Sequence, residues 1–118
     1  MKITSYKELI VWQKGIELVE LVYILTKQFP KDEQFGLISQ LKRAAISIPS
    51  NIAEGFGRQS EKDYKHFYKI AYGSALELET QLLLAKRLNY GEEVDYIGIE
   101  KILTEICKML NRMSSNKQ

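Results

Sequence analysis

Few side chains in this sequence could perform chemistry, and none stands in a catalytic arrangement. The acidic candidates are Glu54, Glu77 and Glu79. A di-metal site inside a helical bundle needs paired Glu-x-x-His motifs, but the one histidine, His66, has only Asp63 three residues before it. Cys107 has no base nearby in sequence that would activate a thiol, and a core position is the better interpretation. We therefore expect no enzymatic activity, no metal and no cofactor.

The composition predicts one globular domain spanning residues 1–118. The chain is 45% hydrophobic and 27% charged, with a net charge of +2 and one cysteine. That length leaves no room for a second core, and a lone cysteine excludes an internal disulfide framework. Apolar runs are only a few residues long, far short of the roughly 20 that cross a bilayer. We expect no membrane contact and a cytoplasmic location.

Turn residues divide the chain into four segments, and each has the apolar spacing of a helix. Ser5 with Glu8 and Ser60 with Asp63 have the form of capping boxes. Helix one is predicted from about Tyr6 to Gln28, helix two from Asp32 to the Gly55/Gly57 pair, helix three from Ser60 to the Asn89–Gly91 turn, and helix four from Glu92 to Met113. A tail of about 114–118 should fray. Short connections between long helices favour an all-α, antiparallel, up-down-up-down four-helix bundle.

Helices one and three each carry two apolar lines. The predicted core lines are Leu9, Trp12, Ile16, Val19 and Tyr23 on helix one, and Phe67, Ala71, Ser74, Leu78, Leu82 and Ala85 on helix three. A helix that is apolar on more than one face is usually buried on more than one side. The second lines therefore predict an oligomer interface that includes Tyr68, Tyr72, Leu76, Leu83, Leu18 and Val22. The alternative is one wide core stripe with some exposed tyrosines.

Pro49 lies inside the pattern of helix two and predicts a kink there, because proline removes a backbone donor. Ser47, Ser50 and Asn51 are close enough to satisfy the freed backbone groups; the alternative makes the kink a binding feature. A structural ion pair of Glu54 or Glu77 with Arg43 is expected. Gly73 predicts close helix packing, since glycine inside a helix costs up to about 1 kcal/mol relative to alanine. The predicted structural motif is Ser47, Pro49, Ser50, Asn51, Glu54, Gly55 and Gly73.

Basic residues exceed acidic ones by three between residues 40 and 69. Lys62, Lys65 and Lys69 share a helix face because they are three and four apart. The candidate phosphate contacts are Arg58, Lys62, Lys65 and Lys69, with Arg43 as an outlying candidate. Tyr64, Tyr68 and Tyr72 alternate with these lysines and could stack on unpaired bases. The alternative is a solvated basic face whose tyrosines turn inward.

Three segments resemble the four-helix-bundle proteins encoded in 23S rRNA intervening sequences. They are residues 40–57, with Ser-Ile-Pro-Ser-Asn-Ile-Ala-Glu-Gly at 47–55, residues 70–79 and residues 6–14. The resemblance implies an antiparallel bundle that assembles as a ring-like homo-oligomer, a pentamer. That family is also similar to the accessory variability protein of diversity-generating retroelements, which binds RNA and a reverse transcriptase, and some members are labelled ribosomal proteins.

Two functions follow as hypotheses from the residues and the resemblance. The first is a homo-oligomer that binds structured RNA through a basic face repeated around the ring, which would add weak contacts into avidity. The alternative is an oligomeric scaffold that recruits a protein partner and binds no nucleic acid. The expected partners are thus further copies of the chain, with RNA or another protein.

Overall fold

Four long α-helices and two short 3₁₀ turns make up the computed structural model, which describes residues 2–115. The 3₁₀ turns are Tyr6–Glu8 and Lys31–Glu33, and the helices are α1 (Ile10–Thr26), α2 (Leu37–Phe56), α3 (Glu61–Arg87) and α4 (Glu93–Ser114). The described residues contain no strand. The all-α fold predicted from the apolar periodicity is therefore confirmed.

Local capping explains where the first 3₁₀ turn and α3 begin, whereas α1 begins without a side-chain cap. Both bonds of the Ser5–Glu8 capping box are present, but they close the 3₁₀ turn Tyr6–Glu8. Leu9 then adopts an extended conformation and α1 starts at Ile10, so the predicted start near Tyr6 was wrong. The Ser60 hydroxyl accepts a hydrogen bond from the Asp63 amide at 3.1 Å, as the second capping pattern predicted.

Helix α2 begins later than the sequence predicted, because a 3₁₀ turn occupies its expected first residues. The predicted first residue, Asp32, lies in this turn. The Glu33 carboxylate accepts a hydrogen bond from the Leu37 amide at 3.1 Å and from the Tyr90 hydroxyl at 2.8 Å. The Glu33 side chain thus satisfies a free amide in the first turn of α2. Through Tyr90 it also connects the start of α2 to the α3–α4 connection.

Contacts between helices show how the chain runs back and forth. Ser47 of α2 meets Ser74 of α3 at 2.8 Å, and Lys86 of α3 meets Glu100 of α4 at 2.9 Å. Two contacts between the first part of the chain and α4 run in opposite chain order: Lys14 of α1 with Glu105, and Gln28, just after α1, with Asp95. The helices enclose one buried apolar cluster, and the molecule measures 44 × 23 × 23 Å.

The fully buried apolar line of α1 is the second line and not the predicted core line. The line Val11, Leu18, Val22 and Leu25 is buried, with Gly15 on the same side, whereas Ile16 and Tyr23 of the predicted core line are 36% and 39% exposed. Gly15 accounts for this orientation, since a Cβ there would lie 3.3 Å from Cβ of Pro49. Helix α1 therefore presents its glycine side to α2, and its other apolar line lies at the edge of the core, partly exposed.

Three predicted oligomer contacts are consequently wrong. Leu18 and Val22 are 0% exposed and Tyr68 is 8% exposed within the single chain, so they have no surface to offer a second copy. Leu76 and Leu83 of the same prediction are 41% and 56% exposed.

Pro49 does not break α2, which is one continuous helix from Leu37 to Phe56. The kink stays a prediction. The Asn51 amide donates to the Ser47 carbonyl at 2.8 Å and the Ser47 hydroxyl at 2.9 Å, and that hydroxyl in turn meets Ser74 of α3. These polar residues therefore join α2 to α3, while Ser50 is exposed and the Ala45 carbonyl, freed by Pro49, is not the group that Asn51 contacts.

Close helix packing occurs at Gly55, and the prediction of it at Gly73 was wrong. Gly73 is exposed, and an added Cβ would meet nothing within 4 Å. At Gly55 the added Cβ would lie 2.7 Å from Cε1 of Tyr68 and 3.1 Å from the Tyr64 carbonyl oxygen. Gly55 thus lets the end of α2 approach the first turns of α3.

The C-terminal tail was predicted to fray from about residue 114. Ser114 is instead the last residue of α4 and is only 5% exposed. Residues 116–118 of the predicted tail lie outside the described residues.

Candidate nucleic-acid interface

Two of the predicted lysines on α3 point freely to solvent, and the third is engaged. Lys62 and Lys69 are exposed and form no ion pair within residues 2–115. Lys65 meets the Glu61 carboxylate at 2.6 Å and its side chain is only 15% exposed. The hydrogen bond from Lys65, with its charge, lowers the pKa of Glu61. Lys65 therefore brings little net charge to this face.

Arg58 is held by two contacts at the start of the α2–α3 connection. Its guanidinium meets the Glu54 carboxylate at 2.6 Å and lies over the Phe67 ring, 4.6 Å from the ring centroid. The prediction of an ion pair between Arg43 and Glu54 or Glu77 was wrong. Glu54 pairs instead with Arg58, which lies one helical turn after it. Arg43 is exposed on α2.

The tyrosines of α3 turn inward, as the alternative interpretation predicted. Tyr68 is 8% exposed, and Tyr64 and Tyr72 are half-buried and packed against the core. The Tyr64 and Tyr68 rings contact each other with centroids 5.8 Å apart. Within the first two turns of α3, only the ring of His66 is exposed, and its centroid lies 5.4 Å from that of Phe67.

Charges of opposite sign accumulate at opposite ends of the bundle. The basic end, defined as residues 2–14, 50–69 and 104–115, carries nine lysines and arginines against five acidic residues. The acidic end, defined as residues 24–38 and 84–100, carries four basic residues against six acidic ones. A net charge near +2 for the whole chain therefore conceals +4 at one end and −2 at the other.

A row of cations on α4 was missed by the sequence analysis. Lys101, Lys108 and Arg112 are all exposed, and spacings of seven and four place them on one solvent face of α4. They form no ion pair within the described part of the chain. Lys101 and Lys108 help to lower the pKa of Glu105, although the hydrogen bond from Lys14 is the main cause. The spacing alone could have revealed this row.

An apolar surface covers the outer side of α1 and α2. It surrounds a shallow hollow of about 300 Å³ lined by Tyr6, Trp12, Ile16, Val19, Ile46, Pro49, Ser50 and Ala53. Ile46 is 42% exposed, and the Tyr6 and Trp12 rings meet edge to face at 5.2 Å. We call this the α1–α2 face. Most of the line that the sequence assigned to the core of helix one lies on it.

Within residues 2–115, no three histidine, cysteine or acidic side chains are placed to hold a metal ion. Burial, and to a smaller extent the charge of Glu79, raises the pKa of the Cys107 thiol, which keeps the thiol protonated and weakly nucleophilic. No helix in that part of the chain is both long and apolar enough to span a membrane.

The fold and these surfaces define an all-helical bundle with one basic end and an exposed apolar face. The sequence matches the family described as 23S rRNA-intervening sequence protein over residues 7–112, and the chain belongs to that family. A crystal structure of a protein with unknown function from the S23 ribosomal protein family of Bacteroides thetaiotaomicron VPI-5482 is similar, with a TM-score of 0.77 and 30% sequence identity over 91% of this chain and 100% of that one. No protein with a curated description matches the sequence.

Proposed function

We propose that this chain is a non-enzymatic homo-oligomer that binds structured RNA through the phosphates contacted by its basic end. The observation that carries the proposal is the separation of charge along the bundle, with +4 at the end that holds the α2–α3 connection. The family's description names 23S rRNA, and RNA is therefore the polyanion to test first. Lys62 and Lys69 are the main proposed contacts, because both are exposed and unpaired there.

The remaining predicted contacts take lesser parts in the proposed interface. Arg58 and Lys65 already neutralise Glu54 and Glu61, so each must exchange a carboxylate for a phosphate. The Arg58–Glu54 pair is exposed and such pairs are worth little, so its exchange is feasible, whereas the mostly covered Lys65 is less available. Arg43 lies on the middle of α2, away from the basic end, and extends the interface only if RNA follows that helix.

Assembly is the second part of the proposal. Leu76 and Leu83 remain exposed on α3, and the half-buried Tyr72 lies beside them. The α1–α2 face is a second exposed apolar surface. The two surfaces lie on different sides of the bundle, so pairing one with the other would be head to tail, and such contacts form a ring when the rotation between copies closes. A pentamer is implied by the resemblance, and native mass spectrometry would count the subunits.

Fluorescence anisotropy tests RNA binding. A labelled RNA hairpin and a DNA duplex of matched length are titrated with the protein over a series of salt concentrations. We expect salt-dependent binding that favours the RNA. Binding should fall sharply in Lys62→Glu/Lys69→Glu and persist in the matched control Lys27→Glu/Lys31→Glu, which makes the same charge change at the acidic end. Equal loss in both variants, or no binding at low salt, would overturn the proposal.

A protein scaffold is the second candidate, and the α1–α2 face favours it. Exposed apolar patches rimmed by polar residues often mark protein contacts. This function predicts negligible, salt-insensitive RNA binding, and retention of a protein partner that is lost in Ile46→Asp but kept in Lys62→Glu/Lys69→Glu. Steep salt dependence of RNA affinity would exclude it as the sole function.

A further inference from the structure

The tyrosine and phenylalanine rings in the first half of α3 are unavailable for stacking on bases, and Tyr6 and Trp12 of the basic end line the hollow of the α1–α2 face. Tyr68 is buried, Tyr64 and Tyr72 pack against the core, and the Phe67 ring is covered by the Arg58 guanidinium. Proteins that bind single strands combine a basic groove with exposed aromatic rings, and each stacked base contributes about 1–3 kcal/mol. On α3, only the exposed ring of His66 is placed to supply this contribution.

The cations of the basic end lie instead on the solvent faces of two neighbouring helices. Lys62 and Lys69 are on α3, and Lys108 and Arg112 are on α4. All four are exposed and carry no ion pair among residues 2–115. Long, mobile cationic side chains on two rows can reach phosphates on two strands, but they present no rigid donor pattern to a base edge.

We infer that the RNA ligand of this end is a base-paired stem, bound through the phosphates of both strands with no sequence preference, and that the α4 row contributes as much as the α3 row. This inference rests on the proposed function. Double-stranded RNA is recognised mainly by its shape and by phosphate and 2′-hydroxyl contacts. A duplex also holds more condensed counterions, and their release on binding favours it over a single strand.

Counterion release gives the size of the expected effects. With four contacts, log K should fall with log salt with a slope of about −3.6 for a stem, from about 0.9 per phosphate contact. Each phosphate contact contributes about 0.9 to the salt slope on a duplex and about 0.7 on a single strand. For four contacts this difference favours the stem by about fivefold in affinity at 0.15 M salt. Loss of two contacts should weaken stem binding by about 30-fold and halve the slope.

Anisotropy with three RNA probes tests the inference. The probes are a hairpin with an uninterrupted stem, the same hairpin with its stem sequence scrambled, and an oligouridine with the same number of phosphates. The α4 variant is Lys108→Glu/Arg112→Glu, with the neutral Lys108→Gln/Arg112→Gln as a milder second form, and the control is again Lys27→Glu/Lys31→Glu. Circular dichroism confirms that each variant is folded.

We expect equal affinity for the two hairpins, weaker binding of oligouridine, and a loss in the α4 variant that matches the loss in Lys62→Glu/Lys69→Glu. Oligouridine binding as tight as hairpin binding would overturn the inference, and so would an α4 variant with native affinity. In either case the proposed function stands if the α3 variant still loses binding. If no probe binds in a salt-dependent manner, the proposed function itself fails.

Discussion

Two glycines of the bundle offer a direct test of its packing. Gly55 lies in the last turn of α2 and Gly73 in the middle of α3. Replacing a helical glycine by alanine lowers the backbone entropy of the unfolded chain and is favourable by up to about 1 kcal/mol. At Gly73 the added methyl group meets nothing within 4 Å, so Gly73→Ala should stabilise the protein by about 1 kcal/mol and raise its Tm by about 4 °C.

At Gly55 the same substitution is opposed by a clash. The methyl carbon would lie 2.7 Å from Cε1 of Tyr68 and 3.1 Å from the Tyr64 carbonyl oxygen. The ring is buried and the carbonyl belongs to the backbone of α3, so neither moves freely. Overpacking of this kind costs about 1–3 kcal/mol. Since the helix-propensity gain favours both variants, the difference in their free energies of unfolding isolates the steric cost of about 1–3 kcal/mol.

The assay is urea unfolding followed by far-UV circular dichroism, repeated over a range of protein concentrations. Two variants of equal stability would refute the packing at Gly55. A Gly73→Ala protein that is less stable than the native chain at every concentration would refute the exposed placement of Gly73. A loss confined to high concentration would instead place Gly73 at a contact between copies.

Three further predictions concern assembly and pH. Ile46→Asp and Leu83→Asp should each dissociate the oligomer. Because each variant keeps one intact face, a mixture of the two should form a complex that sedimentation velocity detects. A mixture that stays monomeric would contradict head-to-tail pairing. Burial, helped by nearby acidic charges, raises the pKa of Tyr96 from its ordinary value of 10.0 to about 12, so the native state keeps a proton that the unfolded state releases. The contribution of Tyr96 to the free energy of unfolding is complete below pH 10 and is lost as pH rises toward 12. In urea unfolding, Tyr96→Phe should therefore lose less stability over this pH range than the native protein. An equal loss in both proteins would contradict the raised pKa of Tyr96. The Leu37 amide and the Tyr90 hydroxyl lower the pKa of Glu33 below 4.5, so its stabilisation is present above pH 4.5 and lost as pH falls further; Glu33→Gln should lose less Tm across that acid range than the native protein, and a parallel loss would argue against it.

Local signals predicted the helices well, because capping and turn chemistry act within a few residues. The Ser60 cap could be predicted without tertiary information. The same holds for the turn at Asn89 and Gly91, two residues that adopt positive φ. The rotation of α1 could not be predicted by periodicity, since both of its apolar lines have helical spacing. A contact with Pro49, 34 residues away, favours the side that contains Gly15.

The candidate site was predicted in part for similar reasons. Lys62 and Lys69 are exposed as expected, but whether Lys65 is free depends on Glu61 one turn before it. The Arg58–Glu54 pair was predictable from its i,i+4 spacing and was missed because Arg43 was weighed instead. The row of cations on α4 was not predicted, because the excess of basic residues was sought only between residues 40 and 69.

The separation of charge has a kinetic consequence. A bundle 44 Å long with ends of opposite sign is an electric dipole, and a polyanion exerts a torque on it before any contact forms. Over roughly a Debye length, about 8 Å at physiological salt, the basic end turns toward the phosphates and the acidic end turns away. Encounters are thereby pre-oriented, so association should be faster than a chain of charge +2 suggests and should slow steeply with added salt.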